Sequence, residues 1–186
     1  MQKQLLIVLL SLVSTVGFGH ETNKAFFEII QKDSIVEVHC EFPWTIRSAL
    51  MAYDTALENA KSKKDFENTF TKYITESLIL TDNNGHNLAL LGFSEVENNG
   101  HSHANNYLLT FKGSGITTLK NTIMFNVFDH QENYHTYKSG TRDFSFSTKN
   151  GSPTVNLNEE ESAISKLWLL LGLVPILFST LKFTRK

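Results

Sequence analysis

The feature that most constrains this chain is an uninterrupted apolar run near its C-terminus, from Leu167-Trp168-Leu169 through Gly172 and Pro175 to Leu181. No charge falls inside it; Lys166 precedes it, and Lys182, Arg185 and Lys186 follow. Leu167 to Leu181 is 15 residues, about 22 Å of helix at roughly 1.5 Å per residue. A bilayer core needs about 20 residues. The deficit closes if the helix runs from Ala163 to Phe183, with Lys166 and Lys182 snorkelling to the interfaces. Pro175 is tolerated in such a helix. The bland alternative is a buried core helix, disfavoured because the run has no polar face. A processed sorting signal is a further alternative. The expectation is therefore a transmembrane helix over 163–183 and a basic cytoplasmic tail over 184–186, with Glu159-Glu160-Glu161 on the exported side.

The other terminus reads as a secretory signal peptide over Met1–Gly19. Lys3 supplies the positive start, Leu5 to Val13 the apolar centre, and Gly17 and Gly19 the small residues before cleavage. His20 becomes the mature N-terminus; an uncleaved anchor is the alternative. A single-pass membrane protein follows, its N-terminal domain periplasmic or extracellular and its partner at one end the lipid bilayer.

Charge agrees with export. The chain has 17 basic and 19 acidic residues. Setting aside Lys3, Lys182, Arg185 and Lys186 leaves 13 basic against 19 acidic, a net charge of −6. Nucleic-acid phosphates demand clustered Lys and Arg, so nucleic acid is not an expected partner. Cys40 is the only cysteine, so no intrachain disulfide can form. The exported domain, 20–150, is long enough for one core without one; residues 151–162, polar and turn-rich, read as a linker.

Within the domain, Ala25, Phe27 and Ile29 alternate on one face, as do Val36, Val38, Cys40 and Phe42, with Lys32-Asp33 as the turn of a hairpin. Cys40 then reads as a small core hydrophobe, not a reactive thiol. After Pro43 the period becomes helical through Ile46, Leu50, Tyr53 and Leu57. A second helix starts at Ser62 as N-cap with Asp65 at N3 and carries the stripe Phe66, Phe70, Tyr73, Ile74. Strands resume at Leu78 and Leu80, and Asp82-Asn83-Asn84-Gly85 turns the chain. Further strands are expected over Asn87–Val96, covered on both faces, and over Asn106–Lys112, Asn121–Asp129 and Arg142–Thr148, with a polar loop over His130–Gly140. The fold class is mainly β (α+β): an antiparallel β-sandwich, Ig-like in one variant, with a two-helix insertion after the second strand. An open antiparallel sheet with the helices packed on it is the alternative.

No Gly-rich phosphate loop, Gly-x-Ser-x-Gly elbow, His-Glu-x-x-His or cysteine pair is present, and no spacing nominates a nucleophile with its base, so no catalytic residues are proposed. The histidines are the one constellation to weigh. If the last four expected strands run up and down, the His101/His103 loop and the His130/His135 loop fall at one end. Asp129 and Glu132 add carboxylates, and imidazole with carboxylate suits Cu, Zn or Ni. Ordinary loop composition explains the same residues. Separately, a mature His20 offers an amino group and a ring nitrogen to copper, with His39 nearby; a frayed polar terminus is the plainer reading. Asn150-Gly151-Ser152 matches a glycosylation acceptor.

The order of several short segments carries a resemblance: Phe27-Glu28-Ile29 and Val36-Glu37-Val38 in the hairpin, Ser48-Ala49-Leu50, Phe70 to Leu78 leading into Thr81-Asp82-Asn83-Asn84-Gly85, Met124 to Phe128, Gln131-Glu132-Asn133 and Arg142-Asp143-Phe144-Ser145-Phe146. In these the chain resembles an uncharacterised family of small exported bacterial envelope proteins over most of 24–148. The resemblance implies a β-rich envelope domain and no catalytic residues; the membrane tail departs from its soluble members. The leading expectation is a membrane-tethered, non-enzymatic binding or scaffold module of the cell envelope with an unnamed protein partner. The alternative is a metal-binding envelope protein.

Overall fold

Alternation in Lys24–Gln31 and Ile35–Phe42 makes the first hairpin, β1 and β2. The computed structural model describes residues 23–60, 62–97 and 105–158. Phe27 lies opposite Cys40 and Ile29 opposite Val38. Ala25, Phe27, Ile29, Val36, Val38, Cys40 and Phe42 are all buried, on the face that the two-residue period selects. Helix α1, Ile46–Tyr53, then a 3-10 turn, Thr55–Asn59, lead to α2, Lys63–Ser77. Ser62 caps α2 as expected: its Oγ accepts from the Asp65 N–H at 3.2 Å and donates to Asp65 Oδ2 at 2.8 Å. Phe70, Tyr73 and Ile74 are buried and Phe66 packs beside them.

The remaining strands are β3 (Leu78–Asp82), β4 (Ala89–Glu95), β5 (Asn105–Lys112), β6 (Ile116–Asn121), β7 (Glu132–Ser139), β8 (Arg142–Lys149) and β9 (Thr154–Asn156). They form a six-stranded sheet in the order β4-β5-β2-β1-β7-β8 and a three-stranded sheet in the order β3-β6-β9. Every pair is antiparallel except β1 and β7, which run parallel. The fold is thus mainly β with two helices, one sheet mixed and one antiparallel.

Four expectations need correction. The strand expected at Asn121–Asp129 lies one segment earlier, in β6. Asn121 Oδ1 captures the Ile123 N–H at 2.9 Å, Tyr73 Oη captures the Met124 N–H at 2.7 Å, and Met124 sits at φ +65°. Such side-chain bonds offer the backbone an alternative to a ladder, so the Ile123, Phe125, Val127 alternation never pairs. Second, residues 132–139 form β7, not a loop. Its inward residues include Asn133 and His135 as well as Tyr137, so a hydrophobic pattern does not reveal them. Third, the up-and-down arrangement fails because β5 pairs with β2 and β6 joins the other sheet. Fourth, β4 is an edge strand with Leu91 59% exposed, not a strand covered on both faces. In addition, Thr154–Asn156 extends the second sheet and Leu157 is buried, within what reads from sequence as linker.

One face of the large sheet is covered. Phe70 of α2 packs on Phe42, Phe93 and Tyr107, with ring centroids 6.4, 4.6 and 4.7 Å away. Asn121 of the small sheet bonds Asn133, and its amide meets the His135 ring. Both sheets and both helices share a single buried core. On the other face of the large sheet Phe26, Glu41, Ser145 and Ser147 are exposed, and no described helix or strand packs over it. Call the end where β1 begins the upper end. Phe42 of β2, Asn105 of β5, Glu132 of β7 and Lys149 of β8 lie there too. The described chain leaves at the lower end, where Arg142 Nη2 donates to the Leu157 carbonyl at 2.6 Å. No helix among the described residues is long and apolar enough to cross a membrane; the spans expected at 1–19 and 163–183 lie outside them.

Candidate binding face

The uncovered sheet face carries a trough of about 520 Å³ on its upper half. Strand alternation puts Phe26 and Glu28 of β1, His39 and Glu41 of β2, and Tyr134 and Thr136 of β7 on the same side. Register then sets neighbours: Phe26 stands between Glu41 and Tyr134, and Glu28 between His39 and Thr136. The Phe26 and Tyr134 rings stack at 5.5 Å and 20°, yet Phe26 stays 47% exposed. A large aromatic held in place and still half in water is the informative observation on this surface. Lys24 Nζ lies 5.6 Å from the Tyr134 ring centroid, and the Tyr134 hydroxyl donates to the Glu132 carboxylate.

The charged groups differ in their commitments. Glu28 accepts from Lys138 Nζ at 2.6 Å, which raises the Lys138 pKa above its ordinary value. Glu37, one row lower, pairs with Lys32 Nζ at 2.5 Å and lies 4.0 Å from His39. Glu41 is exposed and has no ion-pair partner among the described residues. The trough lining contains no Lys or Arg. The site can therefore hold a flat or apolar group against Phe26 and offer one free carboxylate next to it. No described residue pairs a nucleophile with a base there.

Behind the trough lies a buried polar cluster. His135 is sandwiched between Phe27, at 5.1 Å and 17°, and Phe146, at 4.7 Å and 6°. Its protonation state follows from neighbours. The Ile123 N–H fixes Asn121 Oδ1 as an acceptor, so Asn121 Nδ2 must donate to His135 Nε2, 3.0 Å away. The ring is then neutral with its proton on Nδ1. Burial pushes the His135 pKa down to about 3, against smaller raising contributions from the Phe146 and Asn133 backbone. His135 Nδ1 and Gln131 Oε1 have no partner in hydrogen-bond geometry. Asn133 Nδ2 donates to Asn121 Oδ1 and to the Ile123 carbonyl, both at 3.1 Å, and Thr148 Oγ1 donates to the Asn121 carbonyl at 3.2 Å. The cluster ties β7 and β8 to β6. It is a set of buried polar contacts, with His135 2% exposed at the floor of the trough.

Of the histidines expected to act together, the two that are described, His130 and His135, are separated. His135 points into the core from β7, whereas His130 is exposed in the turn before it. This corrects the expectation of one His130/His135 loop. Asp129 is exposed beside His130, and Glu132 is held by the Tyr134 hydroxyl. His20, His101 and His103 lie outside the described residues. Their described neighbours do share an end: Asn23 Nδ2 donates to the His130 carbonyl at 2.8 Å, and Val96 pairs with Asn106 beside the start of β5. His39 is on the open face, and His86 lies 3.7 Å from Asp82 in the β3–β4 turn. Among the described residues no group of three or more His, Cys, Asp and Glu is arranged to hold a metal ion.

Sequence reasoning missed Phe26, Glu41 and Tyr134. The signal for Phe26 and Glu41 was present: an aromatic and a carboxylate at the solvent phases of two paired alternating strands. Tyr134 was hidden because its strand was read as a loop. In comparisons with known proteins, no family model matches the chain, and no curated protein matches it.

Proposed function

We propose that this chain is a membrane-tethered, exported, non-enzymatic binding module whose working surface is the open face of the six-stranded sheet. The observation that carries the reading is the Phe26–Tyr134 stack, half exposed above a trough of about 520 Å³ and next to the uncommitted Glu41. That volume falls in the range of roughly 300–1,000 Å³ usual for ligand sites. In this reading the two sheets are the layers of a β-sandwich, with α1 and α2 completing the inner layer. The tether fits the chain path: the described body ends at Asn158 at the lower end, and the apolar segment 163–183 follows. A helix there in the bilayer leaves the trough directed outward.

The test is amide chemical-shift mapping on the full chain in uncharged detergent micelles. The probes are a basic, an acidic and a neutral peptide, a neutral oligosaccharide, and Zn²⁺. The expected result is saturable perturbation by at least one probe, centred on Phe26, Glu41, Asn106 and Tyr134. Perturbation centred elsewhere, or none, overturns the reading.

A second reading, a Cu, Zn or Ni site, is favoured by one observation. Asn23, His130 and the strand ends that flank 98–104 all meet at the upper end. It predicts stoichiometric metal uptake that His130→Ala weakens. Uptake unchanged in that variant, or absent, removes it.

A further inference from the structure

We infer that the trough on the open face takes an arginine side chain presented by an extended basic polypeptide segment. This rests on the binding-face reading and adds the chemistry of the partner. Three observations carry it. First, the lining contains two carboxylates and no lysine or arginine; its one exposed imidazole, His39, stands opposite Glu28 and 4.0 Å from Glu37. Lys138 already occupies Glu28, so the charge left to be matched is Glu41. Second, Glu41 and Phe26 are direct cross-strand partners, which puts their side chains side by side on one face. A guanidinium lying on the Phe26 ring then has its edge directed toward the Glu41 carboxylate. That combination of planar stacking and paired donors suits Arg better than Lys. Third, this chain already places cations on ring faces: Arg142 lies 5.3 Å from the Tyr137 centroid and 5.5 Å from that of Phe144.

The open shape of the trough decides between a free cation and a chain. A small cation lying in it keeps most of its surface in water and gains little from one exposed carboxylate. A polypeptide laid across the strands adds apolar contact with Val96 on one flank and polar contact with Thr136 and Ser145 on the other. The net negative charge of the exported body steers such a segment toward it.

The experiment uses the full chain in uncharged detergent and a labelled peptide alternating arginine and leucine. A matched peptide carries citrulline, the neutral isostere, at each arginine. Variants are Glu41→Gln and Phe26→Ala, with Glu58→Gln as a charge control on the 3-10 turn. All three positions are exposed, so the fold is retained, and this is checked by thermal unfolding. Expected results are saturable binding of the arginine peptide, about tenfold loss with citrulline, and about tenfold loss in Glu41→Gln. Phe26→Ala loses about fivefold, and Glu58→Gln is unchanged. Equal binding of the citrulline peptide, or equal losses in Glu41→Gln and Glu58→Gln, overturns the inference. If the mapped trough instead responds to the neutral peptide or the oligosaccharide, the binding face stands and the arginine assignment falls. If no probe perturbs the trough, both fall.

Discussion

His135 shows how far one residue can govern the body around it. Because its folded pKa is depressed to about 3 from an ordinary 6.5, the unfolded chain binds more protons between those values. Stability is full above about pH 6.5 and falls as pH drops toward 3. Between pH 7 and pH 5 this single group removes about 2 kcal/mol. Urea unfolding at both pH values should show that loss, and His135→Gln should lack it; equal pH dependence in the two proteins contradicts the neutral assignment. Cys40 offers a simpler check. It is 3% exposed and burial raises its thiol pKa, so a thiol reagent should label it only under denaturing conditions. Rapid labelling of the native protein contradicts the placement. Cys40 was legible from sequence because alternation in β2 assigned it a face. His135 was not, because an inward polar residue gives the same pattern as a loop until its partner, Asn121, is known.

At the scale of elements, the hairpin, both helices and the Ser62 cap were legible because each is specified locally, by period or by a capping residue. The segment 122–131 was not, because its conformation is set from a distance. Tyr73 Oη accepts from Met124 N–H and donates to Asn126 Oδ1 at 3.1 Å, while Asn126 Nδ2 donates to the Ala49 carbonyl at 2.9 Å. One hydroxyl on α2 thus organises a turn 51 residues away and joins it to α1. Tyr73→Phe leaves the buried Met124 N–H unpaired and should cost about 1–3 kcal/mol in chemical denaturation. A loss below a few tenths of a kcal/mol indicates that another acceptor replaces it. Ser62→Ala at the start of α2 should cost about 0.5–2 kcal/mol, measured the same way; no change means that the Asp65 N–H finds water instead.

Across the molecule, the inner face of the large sheet is used up by the core, and among the described residues no helix or strand covers the outer face. The parallel β1–β7 pair brings this about. It places Tyr134 beside Phe26, although the two are far apart in sequence, and no local pattern announces a pairing of that range. It also sets the start of β1 at one end of the sheet, while the last described residues lie at the other. The candidate site was therefore legible only as single residues on an exposed strand phase, never as a constellation. The decisive measurement is residue-resolved attenuation of amide signals by a water-soluble paramagnetic agent, with the full chain held in a bilayer nanodisc. Strong attenuation at Phe26, Glu41 and Asn106, with little at Ser139–Thr141, which the proposed tether would bring to the lipid, is the expected result. If Phe26 and Glu41 prove as protected as Val38 and Leu109 in the core, the face is covered in the intact chain and is not a binding surface.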